Sequence, residues 1–153
     1  VLMMGKTNVK PVAELITDYT NRLKHYISTE VVIIPELKNT KNLNETDQKE
    51  KEGALILKHI NKTDEVFLLD EKGKMFSSVE FATMIEKRNT EATKRMIFVV
   101  GGAYGFSQEV YNRADGLISL SRMTFPHQLV RAIFMEQLYR ALTIIRGEPY
   151  HHV

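Results

Sequence analysis

Five short apolar runs, separated by stretches with helical spacing, constrain this chain more than any other feature. The runs are VLMM (1–4), EVVIIPEL (30–37), EVFLL (65–69), MIFVV (96–100) and LISL (117–120). They are continuous rather than alternating, and too short for helices, which is the pattern of strands buried on both faces. VLMM begins at full hydrophobicity, so a residue or two of the natural start is expected to precede it. Between the runs, Pro11 opens a helix whose apolar positions Val12, Leu15, Ile16, Tyr19 and Leu23 share one face. Residues 38–52 are polar and charged, and read as a solvated, mobile loop that runs into the start of a helix continuing through 54–60. Ser77 with Glu80 forms a capping box for a helix to about Arg88, and Ser107 caps a short helix to about Ala114. The last helix begins near Pro126 and stops at Gly147. The expected fold is α/β: a mostly parallel sheet with helices on both faces, in one domain spanning 1–153.

Composition narrows the function classes. A chain with no cysteine has no disulfide, no thiolate metal site and no thiol nucleophile. No apolar run is long enough to span a membrane and no secretory signal precedes the first helix, so a cytoplasmic location is expected. A formal charge of +2 permits an RNA partner without arguing for one. No His-rich spacing of a metal centre occurs, so no metal is expected. His25 and His59 fall in ordinary helices, and the adjacent His151 and His152 would chelate one ion poorly.

In open parallel sheets ligands bind beyond the carboxyl ends of the strands. Three consecutive strands here end in unusual loops: DEKGK (70–74), GGAYG (101–105) and SRMTFP (121–126). Phosphate is the obvious ligand for such glycines, but the chain lacks the means. GKT (5–7) has strand residues before it where G-x-x-x-x-G-K needs flexible backbone, and GGAYG fits neither that motif nor G-x-G-x-x-G. A P-loop-like ATPase is therefore a poor alternative. Without phosphate, the glycines let backbone press on a flat or bulky ligand and offer it N–H and C=O groups. LSRMTF (120–125) adds hydroxyls, a methionine and an aromatic ring, suited to an adenine and a thioether-like chain. Taken singly, each could be an ordinary loop or core residue; three loops at consecutive strand ends favour a ligand.

The run from Phe98 to His152, with LSRMTFPHQLVR (120–131) and the PYH ending (149–151), resembles the large-subunit ribosomal RNA methyltransferase H family of the SPOUT class. LLDEKGK (68–74) and MGKT (4–7) agree, so the likeness covers nearly the whole chain. The resemblance implies a C-terminal trefoil knot, here over about 65–147 with a short tail at 148–153, which periodicity cannot reveal. It implies S-adenosylmethionine-dependent methylation of N3 of a pseudouridine in helix 69 of 23S ribosomal RNA, on the assembled ribosome. It also implies a homodimer with each active site completed by the partner subunit. Carried over, Leu69, Gly101, Leu120, Ser121, Arg122, Met123, Thr124 and Phe125 line the cofactor site, and Arg140, Tyr150, His151 and, less firmly, His127 lie near the substrate base.

On the residues alone, several bland readings compete. Arg140 follows Glu136 by one helical turn, an ordinary surface pair. PYHHV (149–153) is a tail that would fray. His127 and Arg131 sit one turn apart at a helix start, where His127 could satisfy local backbone. A non-catalytic ribosome-binding module is the remaining alternative. The apolar excess on the last helix (Val130, Ile133, Phe134, Leu138, Leu142, Ile145) suits either a dimer seam or burial in the core.

Overall fold

A computed structural model describes residues 1–91 and 95–152. Strands and helices alternate: β1 (Leu2–Met4), α1 (Lys10–Leu23), β2 (Val32–Ile34), α2 (Glu45–Leu57), β3 (Glu65–Met75), α3 (Ser78–Glu91), β4 (Met96–Val100), α4 (Gln108–Arg113), β5 (Gly116–Ser119) and α5 (Leu129–Ile145). The chain divides into two compact units. One comprises Val1–Lys6, Val31–Lys74 and Lys94–Arg122; the other comprises Thr7–Glu30, Met75–Thr93 and Met123–Val153.

The first unit holds the sheet, in the order β2-β1-β4-β3-β5. The β1–β2, β1–β4 and β3–β4 pairs are parallel, with Leu69 opposite Val100 at the end of the last ladder. β5 advances in the same direction as β3: the Asp115 N–H donates to the Val66 carbonyl, and Ile118 lies beside Gly73. Alternation puts Leu2, Met4, Val66, Leu68, Ile97 and Val99 into one core with Ile34, Ile56, Phe106 and Val110. Met3, Phe67, Phe98 and Val100 point the other way and are buried too, as the continuous apolar runs require.

The charged segment before α2 is more ordered than its composition implies. Thr40–Asn42 form a 3-10 turn, and the Asn44 side chain caps α2 by accepting from the Asp47 N–H at 2.8 Å. The helix therefore begins at Glu45, well inside the run read as a loop. A second difference is DEKGK, which continues β3 to Met75 rather than forming a loop. Gly73 makes that possible: a Cβ there would stand 2.5 Å from the backbone of Ile118, so only glycine lets β3 lie against β5.

In the second unit α5 packs against α1 and α3. Phe134, Leu138 and Leu142 are buried, whereas Val130, Ile133 and Ile145 are half-buried. The capping box at α3 forms as expected, the Glu80 carboxylate accepting from Ser77 N–H and the Ser77 hydroxyl from Glu80 N–H. Helix α1 has Val9 at its N-cap, a residue that cannot cap. Gln128 supplies the acceptor instead, its Oε1 taking the N–H groups of Asn8 and Val9 at 2.9 and 3.0 Å. At the far end of α5, Gly147 is left-handed (φ 66°) while Gly147 and Glu148 N–H donate to Ile144 and Thr143 carbonyls. That is a Schellman stop.

Candidate active site

Of the first group of expected residues, Leu69, Gly101, Leu120 and Ser121 lie at the carboxyl edge of the sheet. Leu69 ends the paired part of β3 beside Val100, and Gly101 follows Val100 directly. Leu120 and Ser121 follow β5, where the Ser119 hydroxyl donates to the Ser121 carbonyl at 3.0 Å. In the glycine loop, Gly105 N–H donates to the Gly102 carbonyl at 3.2 Å, and Gly105 is left-handed (φ 81°). A Cβ on Gly101 would press the Phe106 ring at 3.0 Å. Ala103 and Tyr104 are exposed at the loop tip. Tyr111 of α4 donates to Asp70 at 2.5 Å, and burial together with that carboxylate pushes its hydroxyl well above the ordinary phenol range. Continuing the chain into the second unit, Met123 and Thr124 are exposed, Met123 by 75%, and Phe125 is half-buried. Met123 is thus not a core residue.

Behind the glycine loop stands a residue the sequence reading passed over. Glu52, in the charged run, is only 6% exposed. Its Oε1 accepts from Gln48 at 2.8 Å, while Oε2 is buried with no hydrogen-bond partner among the described residues. A Cβ on Gly102 would lie 2.6 Å from that oxygen. The available signal was Gly53 next door. A glycine in a helix interior costs about 1 kcal/mol relative to alanine and marks a close approach. Here a Cβ would meet the Ser107 hydroxyl at 2.2 Å. This edge therefore combines thin backbone with an unanswered buried acceptor, and it suits a ligand bearing positive charge and N–H donors.

The second group comes together on α5 and the chain's tail. Glu136 Oε1 accepts from Arg140 Nε at 3.1 Å, from Arg140 Nη2 at 2.5 Å and from the Tyr150 hydroxyl at 3.1 Å. Gln137 donates to the other oxygen at 2.7 Å. The Arg140 guanidinium lies 4.9 Å from the Tyr150 ring centre, and the Tyr150 ring meets Tyr139 edge-on at 4.9 Å. Tyr19 of α1 places its hydroxyl 3.4 Å from that of Tyr150, and Tyr26 donates to Glu148 at 2.5 Å. Glu148, Tyr150 and His151 are thereby held against α1, the turn that follows it and α5 rather than frayed. His151 Nδ1 is 3.3 Å from Arg140 Nη1. Because a guanidinium only donates, Nδ1 is the acceptor, and neutral His151 carries its proton on Nε2.

The charges of this cluster are set by its contacts. The Glu136 hydrogen bonds raise the Arg140 pKa further, so it stays a cation. Burial, with the Tyr19 hydroxyl and the Glu136 carboxylate, pushes the Tyr150 hydroxyl well above the usual phenol range, so it stays a donor. The cluster thus presents a cation and neutral donors and contains no phenolate base. Two neighbours do not join it. His127 is exposed before α5, and Arg131 is buried with Nη1 donating to Thr7 Oγ1 at 3.0 Å. That bond also engages the threonine of GKT, while Gly5 is left-handed (φ 81°) and extends the sheet edge to Ile34. His25 and His59 lie in turns just past α1 and α2, both exposed. Among the described residues no group of three metal-ligating side chains occurs, and no helix is long and apolar enough to cross a membrane.

Comparison with known proteins agrees with this layout. Residues 1–151 match the family model described as predicted SPOUT methyltransferase. The chain is 58% identical over 152 residues to a ribosomal RNA large subunit methyltransferase H of Christiangramia forsetii, which spans 99% of this chain and 97% of that protein. With the same coverage it is 55% identical to the protein of that name from Parabacteroides distasonis and 53% to that from Flavobacterium johnsoniae. A five-stranded α/β sheet, a glycine loop at its carboxyl edge and these matches lead to one conclusion: the chain belongs to the SPOUT methyltransferase family.

Proposed function

We propose that this protein methylates large-subunit ribosomal RNA in the cytoplasm, using S-adenosylmethionine, at N3 of a pseudouridine in helix 69 of the assembled ribosome. It acts as a homodimer, each active site completed by the partner subunit, and the trefoil knot spans about 65–147. The names of the relatives support the RNA class, and the resemblance of LSRMTFPHQLVR and PYH supports the nucleotide. The observation that carries the reading is the contact of Tyr150 and His151 with Arg140 and its partner Glu136.

Leu69, Gly101 and Leu120–Phe125 would hold the cofactor, and the orphaned Glu52 oxygen at the glycine loop fits a cationic adenosyl ligand. When bound, S-adenosylmethionine supplies a methyl group on a sulfonium, an electrophile that needs positioning more than activation. The chain's own residues act on the acceptor. N3–H of pseudouridine is a weakly acidic imide whose nitrogen must lose its proton before attack. Arg140, fixed as a cation by Glu136, stabilises the imide anion. Tyr150, protonated and donating, orients the base, and His151 offers Nε2–H to a base carbonyl. The proton leaves to water, because this cluster keeps no free base. His127, exposed at the lead-in to α5, contacts the RNA beside the target.

Two measurements test this reading. Labelled methyl transfer is followed to intact ribosomes, isolated large subunits and naked RNA lacking the modification. Label at N3 of the helix 69 pseudouridine in intact ribosomes, with little on naked RNA, is expected; no label on any acceptor would remove the RNA assignment. The transfer rate should also climb with pH as the imide deprotonates, by up to about tenfold per unit. An inflection that disappears in Tyr150→Phe would show Tyr150 to be a base after all.

A further inference from the structure

The scheme above places Glu52 at the glycine loop without assigning it a group of the cofactor, yet among the described residues it is the buried acid with the least compensation. Asp64, buried to a similar degree, is answered by Arg95 and by backbone N–H. Glu52 receives one amide donor, from Gln48, and forms no ion pair among the described residues. A carboxyl group removed from water with a single neutral partner is left incompletely satisfied. A buried polar atom without a partner calls for an explanation, and a bound water, ion or ligand is one.

The direction of the missing partner is set by the loop. Oε2 lies against Gly102, so close that a Cβ there would stand 2.6 Å away, and Gly102 is the neighbour of the expected cofactor residue Gly101. A neutral hydroxyl or ring amine would satisfy the oxygen without offsetting its charge. A cation with N–H donors does both. On an adenosyl cofactor the sulfonium has charge but no donor, and the ribose and adenine have donors but no charge. The α-ammonium of the amino-acid arm has both.

We propose that Glu52 is a cofactor-binding residue whose Oε2 accepts from the α-ammonium of S-adenosylmethionine. The assignment rests on the cofactor reading given above and extends it to the recognition of one group. It explains why position 102 carries no side chain: a Cβ there would stand 2.6 Å from the Oε2 that the ammonium needs.

Calorimetric titration of the full chain tests it with three ligands: S-adenosylhomocysteine, its deaminated analogue, and methylthioadenosine, which keeps the nucleoside and sulfur but lacks the amino-acid arm. Failure of the unmodified protein to bind S-adenosylhomocysteine would remove the cofactor reading itself. Given binding, Glu52→Gln should weaken S-adenosylhomocysteine about tenfold or more, the worth of one charge-assisted hydrogen bond, and leave methylthioadenosine within about twofold. The unmodified protein should bind the deaminated analogue about tenfold more weakly, a comparison that needs no folded variant. Equal weakening of both ligands, no weakening of either, or full affinity for the deaminated analogue would mean that water or the loop satisfies Oε2. The Glu52 assignment would then fall while the cofactor reading stood.

Discussion

The two edges of the one sheet treat buried charge in opposite ways. At the amino edge, Arg95 ahead of β4 donates from Nε and Nη2 to the two oxygens of Asp64 ahead of β3, at 3.1 and 2.7 Å. Arg113 at the end of α4 donates to the Asp64 and Asn61 carbonyls and pairs with Asp115, whose carboxylate takes the Val66 N–H. Three strands are thus tied at their starts by groups that answer one another. At the carboxyl edge the backbone is stripped to glycine at 101 and 102, and Glu52 is buried with an oxygen unanswered. The first edge is finished within the chain. The second keeps a buried acceptor with no partner among the described residues, and the difference separates a fastening from the proposed site.

If that division is right, substitutions at each place should fail in different ways. The largest effect is expected at the cluster proposed to handle the acceptor. Arg140→Ala should cut methyl transfer by about 10²–10³-fold, the scale of losing one electrostatic stabiliser, with cofactor affinity unchanged by calorimetry. A matching loss of cofactor affinity would merge the two roles separated here. Gly73→Ala comes next. It drives a methyl group into the Ile118 backbone, and denaturant melts should show a loss of about 3 kcal/mol or a failure to fold.

The two buried acids then give the sharpest contrast. Hydrogen bonds from Arg95 hold the Asp64 carboxyl below the usual carboxylate range. A depressed carboxylate contributes stability above its unfolded value of about 3.9, and that contribution disappears as pH falls through the folded value. Asp64→Asn should therefore cost about 1–3 kcal/mol near neutrality, with the gap to the parent closing on acidification below about pH 4. Glu52→Gln, melted without ligand, should change stability least, from nothing to a gain of about 1 kcal/mol, since it removes an uncompensated charge. A large loss there would place Glu52 among the fastenings and erase the distinction.

Much of this fold was legible from local patterns. The strand from Met96 to Val100, the Ser77–Glu80 capping box, the Ser107 cap and the Gly147 stop each depend on residues within a few positions, where spacing carries the physics. What escaped depends on distant chain. DEKGK looks like a turn, and becomes strand only because Gly73 can lie on β5. Helix α1 lacks a local cap because Gln128 provides one from far along the sequence. Of the site, Arg140, Tyr150 and His151 were named through resemblance, but Glu136 looked like half of a surface pair and proved to be the anchor for Arg140 and Tyr150. Glu52 was hidden by its charged neighbours. Charge runs normally face water, and the only local hint of an inward turn here is Gly53 beside Glu52, which tertiary structure alone makes readable.

The most direct test of the central claim is where the cofactor product binds, followed by backbone amide chemical shifts on addition of S-adenosylhomocysteine. Shifts concentrated at Leu69, Gly101 and Leu120–Phe125, with Asp64, Arg95 and Asp115 unmoved, are the predicted result. Shifts centred on the Asp64–Arg95 edge, or absent from the glycine loop, would contradict it.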